Sequence, residues 1–253
     1  MFFSLRIKYV MFGKLRRFFS NIICGFVYNK DTRKRLRVVL NSPMTSYIRF
    51  IRKNTGAPIR KMKTFVGYQA RNLLISVNDE YIYKFPLRRE NSDELALREK
   101  RIVDALSPLS PIYIPPVTVF EYRGVLVRRY PFISGVRLRE IPLDVAMKNI
   151  KKLAPQVARF IYEIGRSDPA QIRDLKPSKN SAPAYQYGWF HGDIGDNFMV
   201  DMNTMKIIAF IDWEDCYFGN FSDTFTGDRR SPNRELMDAA LREYDKLYNK
   251  DLK

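Results

Sequence analysis

Residues 189–225 read WFHGDIGDNFMVDMNTMKIIAFIDWEDCYFGNFSDTF, and the rest of the chain can be organised around them. An HxD loop, His191 to Asp193, leads into an apolar run, Phe198-Met-Val200. The turn formers Asp201-Met-Asn-Thr204 follow, and then a second apolar run from Lys206 to Ile211. Apolar runs bounded by turn residues predict a β-hairpin. Such a hairpin sets the loop before its first strand beside the loop after its second, which begins at Asp212. Phosphoryl transfer to a hydroxyl needs a carboxylate to orient the acceptor, an amide oxygen and a second carboxylate on Mg²⁺. Asp193, Asn197 and Asp212 stand in the order for these tasks. His191, the only histidine among 253 residues, lies inside the same motif.

On these residues the segment resembles the aminoglycoside phosphotransferase/choline kinase family, small-molecule kinases with a protein-kinase-like fold. Its signature runs HGDxxxxN, then a strand pair and I-D-W/x-E, then Gly and Asp, places filled here by Gly219 and Asp223. The resemblance implies Asp193 as catalytic base and Asn197 and Asp212 as metal ligands. It also implies His191 and Asp223 as braces of the loops, and ATP and Mg²⁺ as cofactors. The pattern departs at one point. In the family, as in the protein-kinase H-R-D-L-x-x-x-N loop, the Asn lies five residues after the Asp, and here it lies four after. Asn197-Phe-Met-Val keeps the family's N-I-L/F-V, so the loop reads as one residue shorter. Tightening around Gly195 would still let the Asn197 oxygen reach within about 5–6 Å of the Asp212 carboxylate. The alternatives are that Asp196 supplies the oxygen or that one metal is lost.

A second alignment competes. IRDLKPSKN, residues 172–180, looks like a protein-kinase catalytic loop built on Asp174, with Asp193-Ile-Gly195 as its D-F-G. The intervening SAPAYQYGWF offers no strand–turn–strand to carry a metal-binding Asp back to the site. A polar, proline-containing surface loop accounts for IRDLKPSKN equally well, and the HGD…IDWE alignment is preferred.

A kinase also needs an N-terminal lobe. Residues 64–86 read as three strands, with a turn at Asn78-Asp79 and alternation through Tyr81, Tyr83 and Phe85. Lys84 falls on the third strand, where kinases carry the V-A-I-K lysine, although a strand lysine taken alone is usually a solvated one. Next, Ser92 or Asp93 can cap a helix with the stripe Leu95, Ile102, Val103 and Leu106. Glu99 lies in that stripe, and a carboxylate there needs a cationic partner. Lys84 is the natural one, matching the kinase Lys–Glu pair that positions ATP. Gly67 and Asn72 flank a turn that is a candidate phosphate cover, although it is no G-x-G-x-x-G. Residues 117–132 predict two strands around Arg123-Gly124, ending in a hinge at Tyr130 and Phe132 against which adenine would sit. Leu143 to about Gly165 is helical by pattern, with Leu153, Val157, Ile161 and Ile164 on one face.

Charge divides the chain unevenly. Residues 1–63 hold 16 Lys/Arg and one acid, while the remaining 190 hold 28 basic and 26 acidic side chains, so +15 of the net +17 lies in the first quarter. Bulky apolar residues (Phe12, Leu15, Phe18, Phe19, Ile22, Ile23, Phe26) mix there with Arg6, Lys8, Lys14, Arg16 and Arg17. The longest uncharged stretch, Phe18 to Asn29, is 12 residues, too short for a spanning helix, which takes about 20. Three readings stay open: a basic amphipathic helix on anionic lipid, a nucleic-acid surface lacking any recognition motif, or a helix packed on the body with a solvated basic rim. Residues 26–37 are also weakly similar to leaders of bacterial surface-polysaccharide assembly enzymes. Two distant cysteines, Cys24 and Cys216, argue for a reducing compartment without a disulfide framework.

The expected architecture is α+β, a protein-kinase-like two-lobe fold. It has a basic helical extension over 1–60, an N-lobe over 61–131 and a short C-lobe over 132–253. The expected activity is ATP-dependent transfer to a hydroxyl of a sugar or small molecule, with a lipid-linked surface glycan at the cytoplasmic membrane face as favoured acceptor. Choline or ethanolamine kinase, aminoglycoside phosphotransferase and a catalytically silent pseudokinase are the alternatives. If Lys84 and Glu99 act as a unit, Lys84→Met and Glu99→Ala should each weaken ATP use. The double mutant should then be little worse than either; additive losses in kcat/KM would exclude a direct pair.

Overall fold

The computed structural model describes residues 20–25, 27–67, 70–88, 90–176, 187–195, 197–220 and 233–251. Two compact units emerge: Met1–Asp93 with Phe120–Arg129, and Glu94–Val119 with Tyr130–Lys253. Fold and chain order are those of an α+β protein with a sheet-rich and a helix-rich unit.

In the first unit, helices α1 (Lys30–Asn41) and α2 (Met44–Thr55) precede strands β1 (Met62–Val66), β2 (Asn72–Val77) and β3 (Tyr81–Pro86). With β4 (Thr118–Glu121) and β5 (Leu126–Pro131) these form one sheet in the order β1-β2-β3-β5-β4. The expected turns fall where backbone chemistry allows them. Asn78 and Asp79 both adopt positive φ (56° and 54°), as do Arg123 (53°) and Gly124 (71°), the pattern of tight hairpin turns that match strand twist.

The basic N-terminal segment differs from a separable extension. Tyr47 and Ile51 of α2 are buried in one cluster with Leu73, Ile75, Tyr83, Phe85 and Val127 of the sheet. Tyr47 stacks on Phe85 with ring centroids 4.1 Å apart, and Phe50 meets Tyr122 edge-on at 5.0 Å. Asn78 grips the chain after α2, donating to the Pro58 carbonyl (3.0 Å) and accepting from the Arg60 N–H (2.8 Å). The helix therefore belongs to the lobe, because its i, i+3, i+4 apolar positions cover a sheet face that would otherwise be wet. Its cations Arg49, Arg52 and Lys53 stay exposed, which is the packed-helix reading for residues 44–55. The mixed apolar and basic run before Ser20 lies outside the described residues. Among the described residues no helix is long and apolar enough to cross a membrane.

The second unit contains α3 (Ser92–Leu106, from its third residue), β6 (Val136–Arg137), α4 (Leu143–Gly165), β7 (Tyr187–Phe190), β8 (Phe198–Asp201), β9 (Lys206–Phe210), β10 (Tyr217–Asn220) and α5 (Asn233–Asp251). α4 buries Leu153, Val157, Ile161 and Ile164 as its periodicity requires, and α5 packs along it. On α3 the buried line runs Ala96, Glu99, Ile102, Val103 and Leu106, while Leu95 is 37% exposed. The inward face is thus the expected stripe except at its start, where Ala96 takes the place of Leu95. Phe198 to Asp201 pairs with Lys206 to Phe210 as the predicted hairpin. Its turn is closed by Asp201 Oδ1, which accepts from the Asn203 N–H at 2.8 Å.

Ile51→Ala should destabilise the protein by about 2–5 kcal/mol in urea unfolding, the usual cost of a buried Ile truncation. Arg52→Ala, on the exposed face of the same helix, should stay within about 0.5 kcal/mol.

Candidate active site

Strand pairing brings the two chemical loops side by side. β7 ends at Phe190, and the chain passes through His191-Gly-Asp193 into the β8–β9 hairpin. It leaves that hairpin at Ile211-Asp212 and returns as β10, antiparallel to β7, with Tyr217 opposite Phe190. Ile211 N–H donates to the Asn197 carbonyl at 2.8 Å, closing the open end of the hairpin.

His191 ties these loops together. Its Nε2 lies 2.9 Å from the Ile211 carbonyl, which can only accept, so Nε2 carries the proton. Nδ1 is then the acceptor, and it faces the Asp193 N–H at 3.4 Å. The ring is 2% exposed. Burial pushes its pKa below the ordinary value. The Ile211 bond and the charges of Asp212, Asp193 and Glu99 oppose that shift without cancelling it. The imidazole is a neutral brace, with three acids gathered around it.

Gly192 has φ +82°, and a Cβ there would stand 2.2 Å from the Asp215 carbonyl oxygen. Only glycine lets the HxD loop lie this close to the turn after Asp212. Asp212 itself is left-handed, φ 65° and ψ 66°, at the start of the 3₁₀ turn Trp213–Asp215. A non-glycine residue held there is strained, and such strain clusters at functional sites.

The shortened loop closes as a tight turn, with Asn197 N–H to the Ile194 carbonyl at 3.3 Å. Asn197 is 3% exposed. Its Nδ2 donates to the Asp193 carbonyl and to Asp193 Oδ2, both at 2.8 Å. Its Oδ1, the atom expected at a metal, accepts from Arg137 Nη2 at 2.9 Å. Asp196 lies outside the described residues, as does Asp223. Asp193 itself is exposed.

Glu99 is fully buried. Oε1 accepts from the Trp213 N–H (3.2 Å), and Oε2 accepts from the Tyr130 hydroxyl (2.8 Å). Its neighbour Arg98 donates to the Glu214 and Cys216 carbonyls. α3 thus holds the loop that carries Asp212 through two adjacent residues, and sequence reasoning missed three supports: Arg98 on that loop, the Tyr130 hydroxyl on Glu99 and Arg137 on Asn197. No local pattern could have marked them, because their partners lie 31 to 118 positions away. Cys216 is buried, with its thiol pushed up to about 12 by desolvation, so it packs and does not react.

Lys84, in the first unit, is 4% exposed and is no ordinary solvated lysine. Gly67 donates its N–H to the Asn72 carbonyl at 2.9 Å, and Ala70 donates to the Gly67 carbonyl at 3.0 Å. Those two amides close the β1–β2 turn and are spent there. Phe132, half-buried, follows β5 directly. Asp174 of the competing alignment sits on a short 3₁₀ helix, 62% exposed and paired with Arg101 at 2.7 Å. The Arg101 bond holds its carboxyl below the usual range, and it occupies a surface position.

Residues 170–222 match the family model of the phosphotransferase enzyme family APH. The matched segment contains both chemical loops, and the fold is similar to that of solved phosphotransferases. Wild-type aminoglycoside 2'-phosphotransferase-IIIa in its GDP complex superposes with a TM-score of 0.65 at 17% identity, over 81% of this chain and 83% of that one. The streptomycin–ATP ternary complex of APH(2")-IIa gives 0.57 at 15% identity, over 81% and 82%. The macrolide 2'-phosphotransferase MphH from Brachybacterium faecium gives 0.55 at 15%, over 79% and 82%. None of the curated proteins matches the sequence. In the structure the β8–β9 hairpin brings the HGD and IDW loops side by side, whereas Asp174 lies at the surface.

His191 also makes stability depend on pH. Its folded pKa lies below the ordinary 6.5, so its contribution is intact above that value and declines as the pH falls beneath it. In that window the unfolded imidazole takes a proton that the buried one refuses. Urea unfolding should therefore show stability falling from about pH 6.5 toward pH 5, with the slope flattened in His191→Gln. An unchanged slope in that variant would assign the dependence to another group.

Proposed function

We propose that the chain is an ATP-dependent phosphotransferase with Asp193 as catalytic base. The observation that carries this reading is the fixing of an exposed Asp193 carboxylate by the buried Asn197 amide, 2.8 Å from Oδ2. That leaves Oδ1 to accept the proton of an acceptor hydroxyl as the hydroxyl attacks. His191, neutral and fully engaged, orients the loop and does not compete for the proton. General-base assistance of this kind contributes about 10²–10⁴-fold.

Asp212 would hold Mg²⁺. Among the described residues no cluster of three or more His, Cys, Asp or Glu could cage a metal by itself. A Mg²⁺–nucleotide site needs only one or two carboxylates beside phosphate oxygens and water, and a single strained, half-buried Asp212 fits that demand. When bound, the ion would neutralise charge on the transferring phosphoryl group. Lys84 and Glu99 are assigned to nucleotide positioning, as are the backbone at Tyr130 and Phe132; at the β1–β2 turn the role falls to Asn72, since the Gly67 amide is already paired. Solved relatives of this fold are complexes with GDP, ATP and ADP, which supports nucleotide as donor.

For the acceptor we favour an anionic, lipid-linked sugar at the cytoplasmic face of a membrane. The support is the exposed cations Lys34, Arg35, Arg37, Arg49, Arg52, Lys53 and Arg60, since each cation near an anionic surface is worth about 1 kcal/mol. The relatives named for aminoglycosides and macrolides make those the rival acceptors. A polycationic acceptor is disfavoured because Asp238 and Glu243 of α5 already pair with Arg234 and Lys246.

Labelled ATP should transfer its γ-phosphate to one member of a panel comprising free sugars, choline, an aminoglycoside and a lipid-linked glycan in anionic vesicles. Asp193→Asn and Asp212→Asn should each lower turnover by at least about 10²-fold, with unfolding curves unchanged. Asp174→Asn should be silent. A lethal Asp174→Asn beside a harmless Asp212→Asn would discard the reading.

A further inference from the structure

Arg137 lies on β6 opposite Met199 of β8. Asn197 stands two residues before Met199, so alternation along the strand puts it on the same face as Met199 and Arg137. The guanidinium thus reaches the Asn197 oxygen from a paired strand, at 2.9 Å. The orientation of the amide is not interchangeable. Nδ2 faces two oxygen acceptors of Asp193, and a flip would set oxygen against oxygen and NH₂ against a guanidinium. The oxygen therefore points at the cation.

We propose that Arg137, in place of a second metal ion, supplies the positive charge at the Asn197 carbonyl oxygen. The site then works with the single metal held through Asp212. This rests on the phosphotransferase reading given above. A Mg²⁺ sharing that oxygen would come within roughly 4–5 Å of the guanidinium. Two cations that close in a half-buried site repel, so ion and guanidinium are alternatives. The guanidinium has the advantage of being delivered by the sheet, while the loop from Asp193 to Asn197 has been drawn tight by the turn at Ile194. Arg137 is a positioning residue in this scheme: through Asn197 it also holds the amide that fixes Asp193.

The test counts ions directly. The full chain, saturated with a non-hydrolysable ATP analogue, is titrated with Mn²⁺ and bound metal is read by electron paramagnetic resonance. One Mn²⁺ per chain is expected for the wild type and for Arg137→Lys. Arg137→Ala should bind two, and Arg137→Ala with Asn197→Ala should return to one. Two ions in the wild type would overturn the proposal, as would a single ion in a folded Arg137→Ala. Should Arg137→Ala fail to fold by circular dichroism, Arg137→Met replaces it, and the wild-type count decides in any case. A wild type that binds no Mn²⁺–nucleotide would overturn the phosphotransferase reading itself, and Arg137's role with it. That result differs from two bound ions, which would leave the reading standing and remove only Arg137's role.

Discussion

A neutral imidazole with no solvent around it has two nitrogens to satisfy, and His191 satisfies them on opposite loops. One nitrogen donates to the carbonyl before Asp212, and the other accepts from the amide of Asp193. The two residues assigned to base and metal are thereby held by one rigid ring. A buried polar group left without its partner costs about 1–3 kcal/mol, so neither loop can move alone without losing one of these bonds. Burial also keeps the ring uncharged. A charged imidazolium would have to donate from both nitrogens, and the contact with the Asp193 amide would turn repulsive.

The same logic governs the buried polar atoms around it. Glu99 brings a carboxylate into the core and meets it with a backbone amide and a tyrosine hydroxyl. Asn197 spends its NH₂ on Asp193 and its oxygen on Arg137. Each is one node of a network of paired donors and acceptors, and such networks stiffen a site when complete and weaken it when broken. Gly192 allows the network to close, since no Cβ fits between it and the Asp215 carbonyl.

The N-terminal region obeys a different constraint. Its helix α2 is basic on one side and aromatic on the other, and the aromatic side fills a sheet face through Tyr47, Phe50 and Ile51. Charge alone suggested a surface for lipid or nucleic acid. Packing assigns the apolar half of that surface to the lobe itself and leaves only the cations outward.

Much of this was legible in order along the chain. Turn formers at Asn78-Asp79, Arg123-Gly124 and Asp201–Thr204 mark hairpins because their backbone and side-chain chemistry acts between near neighbours. The stripe on α4 marks a helix for the same reason, and HGD…IDWE places the loops because a hairpin brings the residues at its two open ends together. What the amino-acid order could not say is which distant groups meet. Leu95 and Ala96 compete for one inward face, and only the packing neighbours choose. The oxygen of Asn197 could have faced a metal or a cation. The register that sets Arg137 beside it, 60 residues away, is decided by strand pairing, to which no local signal in the chain refers.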